Sequence, residues 1–449
     1  MESRSLESPV LFDRQSLVRL ILPLLIEQVL AVTMGLVDTI MVSALSQEAI
    51  SSVSLVDNIN LLMSQLFTAL ATGGAVIAAQ YLGHRDRANA CDTARQLVQV
   101  SLGIALVIMA VVLLLNRWIL RTVFGNIDET VMTYAISYFA ITALSYPFLA
   151  LYNAGAALFR AMGNSKISMW TALMMNVVHI AGNFVAIYGL GWGVAGVGVS
   201  TLVSRILSAV MMLWMITRYT NPIFIPDLHR IQFRWANIKR ILSIGIPNGL
   251  ENSIFQVGKL LVMKLVSVLG TSAIAANAIS NTLSSIVVIP GSACSLALIT
   301  VVGQCMGAEQ PDQAVSNTKK IMIWAMVSVF AVSAALFAFL RPVIGIFNLQ
   351  DATAALAHQV MFVYCIVTVV FWAPSFSLPN ALRGAGDAKY TLIVSMISMW
   401  VFRIGFSYLL VRSLSLQGIW CAMYVDWVFR SLLFVLRFRG GRWRSIRVI

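Results

Sequence analysis

The stretch PLLIEQVLAVTMGLVDTIMVSAL, residues 23–45, is apolar along most of its length yet carries two carboxylates, Glu27 and Asp38. About 20 predominantly apolar residues are enough for a helix to span the hydrocarbon core of a bilayer, so the segment reads as membrane-embedded. Its opening residues return later in the chain. Pro23 and Glu27 of PLLIEQVL recur as Pro247 and Glu251 of PNGLENSI, 224 positions on. Three more matches keep nearly that offset. AQYLGHRDRANA (79–90) matches GQCMGAEQPDQA (303–314) through Gln80/Gln304, Gly83/Gly307 and Ala90/Ala314. LFRAMGNSK (158–166) matches ALRGAGDAK (381–389) through Arg160/Arg383, Gly163/Gly386 and Lys166/Lys389. GVAGVGVS (193–200) has a counterpart around Gln417–Trp420. Four matches in order mark a duplicated half.

Composition extends this reading to the whole chain. Of 449 residues, 59% are apolar and 11% are charged, whereas soluble domains carry about 25% charge. Soluble enzymes, disordered chains and disulfide scaffolds are excluded. Hydropathy gives twelve spans between residues 17 and 436. With the N-terminus inside, 22 of the 31 Lys and Arg, from Arg4 to Arg447, fall on inner segments. Only Arg117, Arg121, Arg341 and Arg412 fall outside, and Arg205, Lys259, Lys264, Arg403 and Arg430 lie within spans. That asymmetry predicts a multi-pass protein of the bacterial inner membrane with both termini cytoplasmic.

The expected organisation is a cytoplasmic segment (1–16), an N-lobe of six helices (17–217), a cytoplasmic linker (218–239), a C-lobe of six helices (240–436) and a basic tail (437–449). The tail reads as an anchor to anionic lipid rather than a nucleic-acid arm. Six spans per half bring both halves in from the same side. The fold class is therefore an all-α polytopic membrane protein, twelve transmembrane helices in two parallel six-helix repeats with a central cleft. A monomer is expected. The five cysteines are scattered and form no Cys-x-x-Cys pair, so neither disulfides nor a metal site is supported. Met1–Ser16 lacks the features of a signal peptide, and the first span directs insertion.

No phosphate loop occurs; the only Gly-Lys, Gly258-Lys259, has Ser253 where the first glycine would stand. Uphill transport would draw on an ion gradient, with no cofactor beyond H+ or Na+. Ionisable residues within spans are costly and point to function by default. Asp38 either protonates or meets a cation. Asp57, nearer an outer end, either joins such a site or faces headgroup water. Asn176, His179 and Asn183 stand at i, i+3 and i+7, one face of the fifth span, and line either a helix contact or an ion site. Thr201 and Arg205, one turn apart, could complete that pocket.

In the seventh span Glu251 and Lys259 are separated by about 12 Å along the axis, so each needs a partner on another helix. A helix crossing could still bring Glu251 to Lys259 or Lys264. Asp426 and Arg430, at i and i+4, read as a neutralising pair, and Arg403 has no obvious partner. Pro147, Pro290, Pro374 and Pro379 interrupt spans and should bend them. The 21 Met and 22 Phe suit an adaptable cavity, although most must face lipid or core.

The Asp38 context VDTIMVSAL, the AQ/GQ-x-x-G segments, the paired R-x-x-G-[ND]-x-K loops and GVAGVGVST together resemble the multidrug and toxic-compound extrusion (MATE) transporters, from about residue 15 to 437. The resemblance implies a V-shaped pair of lobes that exports organic, often cationic, amphiphiles in exchange for Na+ or H+. Its N-lobe cation site uses a first-span Asp, an Asn and an Asp four apart in the fifth span, and a sixth-span Thr. Asp38 and Thr201 match; His179 and Asn183 stand in place of the Asn and Asp. One carboxylate is lost and an imidazole gained, which favours H+. Glu251 matches a seventh-span Glu used for coupling in some branches, while the tenth-span Asp is missing between Tyr364 and Pro379.

The expected protein is thus a secondary antiporter, not an enzyme. The expected coupling residues are Asp38, His179, Asn183, Thr201 and Asn176 in the N-lobe. Glu251 and Lys259 serve coupling or substrate in the C-lobe, and no metal is assigned. Its partners are a small organic substrate and the bilayer, with no nucleic acid. The alternative is an exporter or flippase of a lipid-linked or natural-product cargo on the same architecture.

Overall fold

A computed structural model describes residues 10–125, 128–227, 230 and 232–449. Arg4 and most of the 1–16 segment lie outside the described residues, as do positions 228, 229 and 231 of the 218–239 linker.

The N-terminal half consists of α1 (Arg14–Ser43), α2 (Gln47–Gly83), α3 (Arg87–Phe124), α4 (Glu129–Leu144), α5 (Tyr146–Ala161), α6 (Ser165–Phe184) and α7 (Gly193–Ile216). The C-terminal half consists of α8 (Trp235–Ser267), α9 (Thr271–Val287), α10 (Ile289–Gly307), α11 (Pro311–Ala338), α12 (Leu340–Gly345), α13 (Asp351–Trp372), α14 (Leu378–Gly384), α15 (Ala388–Ile397) and α16 (Phe406–Arg439). Short polar turns set the starts. Asp13, Ser46 and Asp86 each accept a backbone N–H of the first turn, from Ser16, Ala49 and Asn89, replacing partners that a helix N-terminus lacks.

Among the described residues nine helices are long and apolar enough to cross a membrane, and the pair α4–α5, bent by 44°, makes a tenth. The stretch Ala388–Arg439 reverses at Ser415 (φ 50°) and returns, so that Asp426 meets Ser398; it supplies two crossings. α8 is 33 residues long but diluted by Asn248, Glu251, Asn252, Gln256 and Lys259, and it completes the twelve. The breaks repeat between the halves. Pro147 starts α5 after the N-lobe bend. In the matching C-lobe span Pro374 lies in a π-helical turn (Ala373–Ser377) and Pro379 opens α14. α6 and α15 each run into a π segment, Val185–Gly189 and Ser398–Gly405. Pro290 begins α10 after the break that follows α9.

The lobes meet along α2, α8, α10 and α1, at the end of the bundle where α2 and α10 finish. Their C-terminal turns touch reciprocally: a Cβ on Gly83 would lie 2.0 Å from the Gln304 carbonyl, and one on Gly307 would lie 1.9 Å from that of Gln80. Only glycine permits such an approach of backbones. The two glutamines finish the contact. Gln80 donates to the Gly384 carbonyl (3.1 Å) and Gln304 to that of Ala161 (2.7 Å), the same bond made once by each repeat. Contact continues along α2 and α8 as far as Gln65 and Asn252, 3.5 Å apart. Beyond that point the lobes part around two cavities, one of about 860 Å³ and one of about 440 Å³.

The basic tail folds against the joined end. Trp443 is buried and stacks on Phe438, Arg437 pairs with Asp387 at 2.8 Å, and Arg444 pairs with Asp312 at 3.1 Å. Two of the five tail arginines are therefore held by protein carboxylates rather than left free for lipid.

Candidate functional site

The larger cavity lies between the lobes and is walled by α1, α2, α5 and α6 on one side and α8, α10, α13 and α16 on the other. Each lobe contributes one acid–arginine pair to the wall. In the N-lobe Glu27 of α1 meets Arg160 of α5 at 3.0 Å, with Ser168 donating to its second oxygen at 2.8 Å. In the C-lobe Glu251 of α8 meets Arg383 of α14 at 2.7 Å, with Ser395 donating at 2.6 Å. These are the repeat-related residues, so the duplication has copied a pair and not merely a sequence motif. Neither Glu27 nor the two arginines was singled out from the sequence as a site residue. The signal was available, because a Glu and an Arg that each recur at the same offset are candidates for one another.

The C-lobe pairings differ from those expected. Glu251 takes Arg383 and also Arg430 (3.7 Å), not Lys259 or Lys264. Asp426 makes its close ion pair with Arg403, at 3.6 Å, and accepts from Ser398, while Arg430, one turn along the same helix, has its close contact with Glu251. The π segment that holds both Ser398 and Arg403 shifts the helix register and turns these side chains towards α16.

A second cluster sits deeper in the N-lobe, one turn beyond Met34 of the cavity wall. His179 Nε2 lies 2.7 Å from Asp38 Oδ1, Asn183 Nδ2 donates to the same oxygen at 2.9 Å, and Asn183 lies 3.1 Å from His179 Nε2. His179 and Asn183 are buried, while the Asp38 side chain remains 32% exposed. A 2.7 Å contact between an imidazole nitrogen and a carboxylate oxygen requires a proton between them. His179 Nδ1 is buried without a partner. An unprotonated Nδ1 leaves only a lone pair unmet, whereas a protonated one would strand a buried donor at greater cost. The bonding thus favours neutral His179 with its proton on Nε2, donated to ionised Asp38; this is assigned from the hydrogen-bond pattern.

The other predicted members stand apart. Asn176 donates to the Leu30 carbonyl at 2.9 Å, and the Thr201 hydroxyl donates to its own helix at Val197 (3.0 Å). Arg205 donates to Ser145 at 2.6 Å, on the cavity wall. Asp57 accepts from Tyr138 (3.0 Å) and Asn60 (3.1 Å), and Asn60 in turn accepts from Tyr146 at 2.9 Å. Asp57 is therefore exposed yet engaged by Tyr138 of α4 and by Asn60 of its own helix. Lys259 has no ion pair among the described residues; its ammonium stands 5.2 Å from the Phe255 ring centre.

Twelve crossings in two copies, joined at one end and parted around a charged cavity at the other, define a membrane transporter. The MatE family profile matches twice, over residues 23–185 and 247–409, once per repeat. The chain belongs to the MatE family. It is 28% identical to an uncharacterized transporter, YisQ, of Bacillus subtilis (strain 168), over 95% of this chain and 94% of that one. It is 25% identical to a probable multidrug resistance protein, NorM, of Thermotoga maritima, over 97% and 94%. The fold superposes on MATE in the bent conformation with a TM-score of 0.88, at 20% identity over 95% of both chains. It superposes on the outward-facing conformation of a multidrug resistance MATE family transporter with a TM-score of 0.87, at the same identity and coverage.

Proposed function

We propose that the protein is a secondary antiporter that exports amphiphilic organic compounds in exchange for protons. The relative in Thermotoga maritima, a probable multidrug resistance protein, supports an organic cargo. The observation that carries proton coupling is the Asp38–His179–Asn183 cluster. A carboxylate and an imidazole 2.7 Å apart can hold and exchange one proton between them. A sodium ion would require several hard oxygen ligands converging on one point. The Thr201 hydroxyl donates to Val197 and the Asn176 amide nitrogen to Leu30, and neither is hydrogen-bonded to Asp38 among the described residues.

In this reading the cavity, open on the face away from the tail, is the outward-facing state, and the tail marks the cytoplasmic side. Protonation of the cluster from outside would break the present hydrogen-bond arrangement. The gradient then biases the return to the inward-facing state, by about 2.3 kcal/mol per charge for each 100 mV.

The test is dye efflux from proteoliposomes under separately imposed gradients. A pH gradient alone should drive export, and Asp38→Asn should abolish it with insertion intact. His179→Ala should shift the pH profile more than it lowers expression. Strict dependence on Na+ at zero pH gradient, with no response to an imposed H+ gradient, would overturn the proton reading.

A further inference from the structure

We infer that the cavity takes an organic anion, bound by Lys259, Arg403 and Arg430 around Phe255, with an aryl body on the adjoining aromatic wall. This deepens the export reading and rests on it for the transport step, but the binding site stands on its own geometry. Three cations converge on one ring. Lys259 Nζ lies 5.2 Å, Arg403 Cζ 5.2 Å and Arg430 Cζ 5.8 Å from the Phe255 centre. All three residues line the cavity.

The counter-charge is short. Among the described residues the C-lobe wall sets Lys259, Arg383, Arg403 and Arg430 against two carboxylates, Glu251 and Asp426. Glu251 is shared: Arg383 and Arg430 lean on the same oxygen, Oε1. Two positive charges remain unmatched. The arginines also keep unspent donors, since Nε of Arg403 and Nε of Arg430 are buried with no hydrogen-bond partner among the described residues. The Arg430 side chain is only 3% exposed. Like charges gathered on one wall repel one another, and an anion set among them relieves that repulsion.

The wall beside them is aromatic. Phe376 lies 6.1 Å from Phe255, 5.5 Å from Trp372 and 5.7 Å from Trp427, centre to centre. A volume of about 860 Å³ falls within the range of drug-sized sites, roughly 300–1,000 Å³. Lys259 also lines the smaller, outer cavity, where it stands exposed between the two. Arg403 lines both cavities with it, whereas Arg430 lines only the larger. A cationic cargo would meet a wall in which positive groups outnumber the carboxylates.

Two dyes on one xanthene skeleton separate the signs: fluorescein, an anion at neutral pH, and rhodamine 123, a cation. Binding to the purified full-length chain is read by fluorescence polarisation. Fluorescein should bind more tightly than rhodamine 123, and Lys259→Gln should weaken it about tenfold, the loss of one charge-assisted contact. Lys259→Glu should abolish it. Lys264→Gln, on the same helix but outside both cavities, should leave it unchanged and reports on folding. Displacement by naphthalene-2-sulfonate or by dioctanoyl phosphatidylglycerol supports the anion site, and the stronger competitor tells a soluble anion from a lipid headgroup. Tighter binding of rhodamine 123, or a fluorescein affinity indifferent to Lys259, overturns the inference whatever drives transport. Fluorescein binding without export of either dye under a pH gradient would leave the site standing and reject the export reading.

Discussion

Glu251→Gln is expected to destabilise the protein by about 3–5 kcal/mol, the cost of stripping one partner from a buried ion pair. The C-lobe geometry says which partner suffers. At an effective dielectric constant of about 20 the gross attraction of Glu251 for Arg383, 2.7 Å away, is about 6 kcal/mol, and for Arg430, 3.7 Å away, about 4. For Lys259, about 12 Å along the same helix, it is little more than about 1 kcal/mol. A double-mutant cycle reads this difference. Unfolding in mixed micelles, followed by tryptophan fluorescence, would compare Glu251→Gln, Arg383→Gln, Lys259→Gln and the two double variants. The Glu251/Arg383 cycle should return a coupling of about 2–3 kcal/mol, because the second substitution removes the charge that the first left stranded. The Glu251/Lys259 cycle should be additive within about 0.5 kcal/mol. A coupling to Lys259 as large as that to Arg383 would refute the pairing and, with it, the claim that Lys259 is unmatched.

Two further outcomes follow from the ends of helices. Gly307→Ala places a Cβ 1.9 Å from the Gln80 carbonyl, so the lobes must separate where α2 and α10 finish; cysteine cross-linking across that seam should slow markedly, while Gly103→Ala, with open space around it, should not alter it. At the start of α3 the Asn89 backbone and side-chain amides, 3.0 and 2.6 Å away, hold the Asp86 carboxyl below the usual carboxylate range. A lowered value means that its contribution is present above the ordinary carboxylate pKa and fades as pH falls through the folded one. Asp86→Ala should therefore speed hydrogen exchange in the first turn of α3 at neutral pH, by an amount worth about 0.5–1 kcal/mol, and the difference from the parent chain should shrink in acid.

Much of the fold was legible because membrane insertion imposes strong, local rules. Apolar length gave the crossings, the Lys and Arg asymmetry gave an even count, and four matches at one offset gave the duplication. That His179 and Asn183 share a helix face was legible from their spacing, whatever that face meets, and the family resemblance set Asp38 against it. What the chain did not reveal is which helix a long side chain reaches across to. Helical spacing suggested Asp426 with Arg430, but not that a π segment around Arg403 also brings that guanidinium to Asp426, nor that Arg430 reaches across to Glu251. A π turn leaves little mark on periodicity. Thr201 was placed by analogy of position, but a threonine in a helix can satisfy its hydroxyl on the carbonyl four residues back, and Thr201 does so with Val197.

The reciprocal glutamine bonds at the joined end have a consequence for origins. Gln80 reaches the other half's Gly384, and Gln304 reaches the first half's Ala161. Each half therefore offers the donor and the acceptor that its counterpart needs, on the same patch of surface. Such an interface is isologous, the kind formed by two identical subunits about a two-fold axis. A single six-helix ancestor bearing this patch could have dimerised with itself through the same glycines and glutamines. Joined in one chain through residues 218–239, the two copies are free to differ. One half carries Asp38 and His179 and the other Lys259, Arg403 and Arg430, a division of labour that a symmetric dimer could never hold.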